Sequence, residues 1–159
     1  MTRRPFLFAL SAFGLAPALA SAQASAPRIE TISLTDEQWK QRLAPAAYQV
    51  LRHEGTEYPG SSPLNDEHRK GRFVCAGCDL PLFSSETKFD SGTGWPSFFT
   101  TIPGAIGTSR DFKLILPRTE YHCARCGGHH GHLFDDGPEP TGQRYCNNGV
   151  ALRFIPKDG

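Results

Sequence analysis

Five cysteines define the chemistry this chain can attempt. Four fall in two C-x-x-C pairs, Cys75-Ala76-Gly77-Cys78 and Cys123-Ala124-Arg125-Cys126, and Cys146 stands alone. A C-x-x-C turn presents two thiolates to one ion, and two such knuckles complete the four soft ligands of a closed zinc site. The 44 residues between the pairs exceed the spacing of a compact zinc ribbon, so such a site would tie together distant parts of the chain. Two disulfides are an alternative in an exported protein. A thioredoxin-like redox pair is another, but no βαβ pattern surrounds either knuckle. The expectation is one structural zinc held by Cys75, Cys78, Cys123 and Cys126.

An odd cysteine in an exported chain suggests a reactive thiol or an intermolecular partner. Cys146 lies in Gly142-Gln143-Arg144-Tyr145-Cys146-Asn147-Asn148-Gly149. A lone cysteine is most often a small buried hydrophobe, but these neighbours are polar and Arg144 would favour a thiolate. Three histidines crowd after the second knuckle, in Gly128-His129-His130-Gly131-His132. They suit a second metal site, a solvated turn or a general acid group, and spacing does not choose among these. Trp95 sits in Ser91-Gly92-Thr93-Gly94-Trp95-Pro96. That turn presents an indole either to the core or as the wall of a ligand site.

The elements that must carry these groups are short. Thr35 and Gln38 form a capping box before a helix that Pro45 ends, with Leu34 and Trp39 placed as a hydrophobic staple. A second helix is expected over Ala46 to Arg52, closed by Gly55. Residues 56–71 read as an irregular connection. Beyond Gly71 the texture is short strands between turn signals, with candidates at Arg72–Cys75, Phe112–Leu116, Glu120–Cys123 and Val150–Phe154.

The first residues belong to none of this. Arg3 and Arg4 precede an apolar run from Phe6 to Leu19, too short for a membrane span, and small-x-small cleavage patterns follow. Thr2-Arg3-Arg4-Pro5-Phe6-Leu7 resembles a twin-arginine export motif, the alternative being an ordinary secretory signal that holds two arginines, so residues 1–24 read as a cleaved signal to the bacterial periplasm and 25–33 as a leader. Folding before export would protect the thiols. Without Arg3 and Arg4 the chain keeps 15 basic and 16 acidic residues. Nucleic-acid binding through a basic surface is disfavoured by that balance, and no membrane association is expected after cleavage.

Several ordered segments together resemble the methionine-R-sulfoxide reductase B family. They are Pro81–Ser85, Lys88-Phe89-Asp90-Ser91-Gly92-Thr93-Gly94-Trp95-Pro96-Ser97-Phe98, His129–Phe134, and Arg144-Tyr145-Cys146 through Leu152-Arg153-Phe154. The resemblance runs from about Leu34 to Phe154. It implies a mainly β fold of two antiparallel sheets with short N-terminal helices, stapled by a four-cysteine zinc site away from the active site. It implies that Cys146 is the catalytic cysteine attacking the sulfoxide sulfur, while His129 and His132 assist proton delivery to the oxygen. Asn148 would join the active-site hydrogen-bond network, and Trp95 would receive the substrate methyl.

Three departures stand out. Thr93 replaces a cysteine that serves many members as resolving thiol, His130 replaces a leucine, and Gly149 replaces a serine. With four cysteines on zinc, a one-cysteine cycle is expected, its sulfenic acid reduced by an external thiol or thioredoxin-like partner. The substrate would be methionine sulfoxide in oxidised proteins or peptides, handled by a monomer. A non-catalytic zinc-ribbon-like module, tolerant of losing Cys146, and a C-x-x-C thiol oxidoreductase are the rival readings.

Overall fold

The computed structural model describes residues 29–113 and 116–157; the export signal expected at residues 1–24 and the start of the leader lie outside them. Helix α1 (Asp36–Arg42) begins as its capping box requires. The Thr35 side chain accepts from the Gln38 amide at 3.3 Å and the Gln38 side chain accepts from the Thr35 amide at 2.8 Å. Pro45 does more than stop this helix, because it is the first residue of helix α2 (Pro45–His53), where its missing N–H costs nothing. The left-handed closing position of α2 falls to Glu54, one residue before the expected glycine. Together the helices bury Trp39, Leu43, Ala47, Tyr48, Val50 and Leu51. No described helix is long and apolar enough to cross a membrane.

Two antiparallel sheets make up the body. Strands β1 (Gly71–Cys75), β2 (Pro81–Ser84) and β9 (Leu152–Pro156) form the smaller, in the order β2-β1-β9. The larger contains β3 (Lys88–Phe89), β4 (Ser97–Phe98), β5 (Ile106–Asp111), β6 (Arg118–Cys123), β7 (His129–Phe134) and β8 (Arg144–Asn147), ordered β3-β4-β8-β7-β6-β5. An aromatic core joins them. Phe83 of β2 stacks on Phe98 of β4 with ring centroids 4.2 Å apart, Phe73 of β1 meets Phe98 edge-on at 4.9 Å, and Tyr121 meets Tyr145 at 5.5 Å. Burying one such ring stabilises by about 1.5–3 kcal/mol relative to exposure.

Strand alternation then places the chemistry. Tyr145 and Phe98 point into the core, so their neighbours Cys146 and Ser97, which pair directly, face the other way. His132 pairs with Cys146 from the other side, and Glu120 pairs with His132.

Two expected strands shift. The strand expected at Phe112–Leu116 ends instead at Asp111, whose carboxylate takes the Lys113 amide at 2.8 Å and turns the chain; residues 114–115 of that stretch lie outside the described residues. The last strand begins at Leu152, since Gly149–Ala151 form a 3-10 turn whose first two amides are held by Glu57.

Candidate functional site

The two knuckles meet. The sulfurs of Cys75, Cys78, Cys123 and Cys126 all lie within 4.8 Å of one another, buried, with Cys75–Cys126 at 3.6 Å and Cys78–Cys123 at 3.5 Å. Both close pairs run between knuckles and neither is bonded, which does not match two disulfides. Metal–sulfur bonds of about 2.3 Å in a tetrahedron put sulfurs about 3.8 Å apart, so the four residues fit zinc. Helix α2 lies over them: Leu51 packs on Gly77 and Gly128, and Arg52 donates to the Cys126 carbonyl at 3.0 Å.

Cys146 is elsewhere, half-buried on the outward face of β8. Burial pushes its thiol up; the Arg144 charge and the Thr93 hydroxyl pull it back. Arg144 is locked by two bonds to Asp136, at 2.8 and 2.9 Å, and lies over the Phe134 ring at 4.3 Å. Thr93 belongs to a hydroxyl chain with Ser91 and Ser97, each link 2.8 Å.

The histidines are on strand β7, not on a turn. A separation of three along a regular strand would put His129 and His132 on opposite faces. A bulge opposite Tyr121 and His122 inserts one extra residue, and the two rings come to 5.5 Å on the outward face. Each is then held by a carboxylate. His129 Nδ1 bonds Glu120 Oε1 at 2.8 Å, and His132 Nε2 bonds Asp111 Oδ2 at 2.8 Å. Carboxylates only accept, so these contacts set the proton on Nδ1 of His129 and Nε2 of His132, leaving the opposite nitrogen of each ring for other chemistry. His129 Nε2 is buried without a partner among the described residues. Burial pushes His132 down, and the Asp111 carboxylate opposes that.

Of the two residues between them, His130 turns inward. His130 is fully buried beside Tyr121, with Nδ1 3.2 Å from Asn147 Oδ1, and burial pushes it down to about 4. Gly131 lets β7 approach β8, because a Cβ there would lie 1.9 Å from the Cys146 carbonyl oxygen.

Glu57, in the irregular connection, joins the remaining groups. Its amide donates to Asn148 Oδ1 at 2.9 Å, its carbonyl accepts from Trp95 Nε1 at 3.2 Å, and its carboxylate takes the amides of Gly149 and Val150. Asn148 also donates from Nδ2 to the His130 carbonyl at 3.0 Å. Both ends of its amide therefore hold backbone from other segments. Trp95 is half-buried on a turn where Gly94 has φ +87° and no room for a Cβ against Gly60. A small cavity of about 180 Å³ borders Trp95, whereas one of about 700 Å³ lies on the smaller sheet and includes none of these residues.

Cys146 pairs with His132, whose ring lies 5.5 Å from that of His129, while Glu57 ties Trp95 to Asn148; the four knuckle cysteines form a separate cluster. Comparison with known proteins gives the same grouping a family. Residues 43–156 match the SelR domain model. The chain is 51% identical over 132 residues to the peptide methionine sulfoxide reductase MsrB of Pseudomonas putida, covering 82% of this chain and 99% of that one. It is 49% identical over 126 residues to the MsrB of Agrobacterium fabrum, covering 79% and 93%. The chain belongs to the MsrB family. The match spans the described body of both sheets, including the β5–β6 hairpin and all five cysteines.

Within this family member, the sequence reading missed Glu57, Asp111 and Glu120. Each is an ordinary carboxylate in its local context, and no spacing marks it. Asn148 and Glu57 are 91 residues apart in sequence. Only strand register, the bulge and the returning connection bring them to the site.

Proposed function

We propose that this chain reduces the R epimer of methionine sulfoxide, in peptides or proteins, to methionine. The observation that carries the reading is Cys146 paired across β8 and β7 with His132, with His132 and the neighbouring His129 each held by a carboxylate. Trp95 offers an apolar face for the S-methyl group. Cys146 attacks the sulfoxide sulfur as a thiolate, favoured by the fixed charge of Arg144. His132, with His129 beside it, protonates the departing oxygen. In balance, oxygen passes from the methionine sulfur to Cys146 Sγ: the sulfoxide becomes a thioether and the thiol a sulfenic acid. Two external thiols, or a thioredoxin-like dithiol, then return Cys146 to the thiol with release of water and formation of their disulfide. Thr93 supports this one-cysteine cycle, because a hydroxyl stands where a resolving thiol would serve.

Cys75, Cys78, Cys123 and Cys126 would hold one zinc, which supplies a structural cross-link between the knuckles and no step of the reaction. In the same reading residues 1–24 are a twin-arginine-type signal, 25–33 a leader and 34–159 the reductase domain. The protein repairs oxidised periplasmic proteins as a monomer.

The test is turnover of separated R and S epimers of a methionine sulfoxide peptide with dithiothreitol, comparing the protein with its Cys146→Ser variant. R-only activity abolished by the substitution is expected. Equal activity on both epimers, or activity that survives the substitution, overturns the reading.

A further inference from the structure

Glu57 and Asn148 each hold the other's backbone with a side chain, across 91 residues of sequence. Asparagine is a good N-cap residue, yet Asn148, at the N-cap of the Gly149–Ala151 turn, makes no side-chain cap bond. Its amide is engaged instead by the Glu57 N–H and the His130 carbonyl, at 2.9 and 3.0 Å. The first two amides of that turn, Gly149 and Val150, go to the Glu57 carboxylate. No cation among the described residues pairs with this carboxylate, so its partners are backbone amides.

This exchange closes a ring beside the cysteine. Ser97 of β4 pairs with Cys146 of β8, and the Pro96 carbonyl accepts the Asn147 amide at 2.9 Å. Trp95 therefore enters β4 alongside the residues that follow Cys146. Its Nε1, the one polar atom of the indole, donates to the Glu57 carbonyl at 3.2 Å, and the Glu57 amide returns to Asn148. Every other member of the ring lies on β4, on β8 or directly beside them. Glu57 alone comes from the irregular connection. Its main-chain groups could hold Trp95 and Asn148 with any side chain present. What its residue type adds is the carboxylate, which anchors on the amides of Gly149 and Val150 and so fixes where those main-chain groups stand.

We propose that Glu57 is a positioning residue for the Trp95 wall: its carboxylate, anchored on the Gly149 and Val150 amides, holds the indole where an S-methyl group fits and a larger S-alkyl group does not. The inference rests on the reading of the site as a methionine sulfoxide reductase with Trp95 as its apolar wall. A wall discriminates by one methylene only if it does not yield. A ring fixed in place resists the added carbon, whereas a loosely held one moves aside. Without the carboxylate the two amides lose their acceptor, the Glu57 carbonyl shifts, and the indole shifts with it. Glutamine keeps one acceptor oxygen and turns an NH₂ towards the second amide, so it relaxes the wall part-way; alanine removes both acceptors.

The experiment uses two peptides that differ only in a central R-methionine sulfoxide or R-ethionine sulfoxide, the latter one methylene longer at the S-alkyl group. The kcat/KM of each is measured with the unaltered protein, Glu57→Gln and Glu57→Ala. The unaltered protein should favour the methyl substrate about tenfold or more, with that ratio falling about threefold in Glu57→Gln and approaching one in Glu57→Ala. A purely structural role lowers both rates by the same folded fraction and leaves the ratio unchanged. That result, or a ratio near one in the unaltered protein, overturns the proposal. Hydrogen exchange of the Trp95 indole N–H is followed in the same three proteins by nitrogen-15 NMR, its resonance assigned with Trp95→Phe. Faster exchange in both variants is expected, and unaltered exchange overturns the tie between Glu57 and the indole. Faster exchange in the variants, with neither peptide turned over by the unaltered protein, would keep the tie and remove the reductase reading instead.

Discussion

Asp111 and His132 stand two strands apart, on β5 and β7, and are joined by a 2.8 Å hydrogen bond from Nε2 to Oδ2. The same carboxylate accepts the Lys113 amide and the Arg118 guanidinium, the latter at 2.6 Å. These bonds, the amide first, hold its carboxyl well below the usual carboxylate range. His132 faces Asp111 from β5, Arg118 and Glu120 from β6, His129 on its own strand, and Cys146 with Arg144 from β8. Of these, Asp111 pulls its basicity up against burial, while Arg118 and His129 press it down.

Asp111→Asn should therefore make His132 a weaker base. Its protonated form would be lost at lower pH, so the alkaline limb of kcat/KM moves to lower pH, and activity at pH 8 falls about tenfold. A pH profile of the variant checks this; a uniform drop with an unmoved limb would assign Asp111 a structural role only.

His130 links stability to pH. The folded protein protonates it near 4, whereas the unfolded chain does so near about 6.5. As pH falls from 6.5 the unfolded state takes up a proton that the folded state refuses, so stability present above 6.5 is lost down to about pH 4. Between pH 7.5 and 5 the loss is roughly 2 kcal/mol. His130→Leu should remove that share, measured as a smaller difference between urea midpoints at the two pH values. An unchanged difference would mean the ring is protonated in place.

Gly149 is tied to Ser62. A Cβ at 149 would lie 1.8 Å from Ser62 Oγ and 2.5 Å from its Cβ. The serine found in the family pattern therefore does not fit beside this Ser62. Gly149→Ser should destabilise by about 1–3 kcal/mol, and Ser62→Gly added to it should recover most of that. Its own cost is small, the bond from Leu64 N to Ser62 Oγ at 3.2 Å. Additive losses in thermal midpoints would contradict the coupling.

Thr93 stands close enough to Cys146 to influence its thiol. Thr93→Cys should place a resolving thiol there. One turnover with substrate and no reductant would then yield an internal disulfide and water, in place of a sulfenic acid trappable by dimedone. Mass spectrometry of the single-turnover product distinguishes the two.

The knuckles and the nucleophile should separate under chelation. One zinc per chain is expected by atomic absorption, retained in Cys146→Ser and lost in Cys126→Ser, which also lowers the thermal midpoint. Metal that leaves with Cys146 and stays without Cys126 would reverse the assignment.

Local order along the chain determined a good deal of this. The capping box at Thr35 and Gln38 and the two knuckles depend on residues close in sequence, as does the turn before Pro96, and each forms where its spacing says. The strands β1 and β6, with Phe73 and Tyr121, likewise fall where the sequence placed Arg72–Cys75 and Glu120–Cys123, whereas β2, β4 and β8 carry too short a pattern to be read locally. From Cys146, the paired histidines and Trp95, the family pattern could be read without coordinates.

What tertiary structure alone decided is which atoms face one another. His129 and His132 share a face because a bulge adds a residue, and a bulge is a property of two paired strands. Glu57 and Asp111 became part of the site through hydrogen bonds across segments far apart in sequence. A carboxylate has the same chemistry at any position, and local spacing carries no information about which backbone amide or imidazole will arrive beside it. Register between strands does, and register is set only when the aromatic core closes.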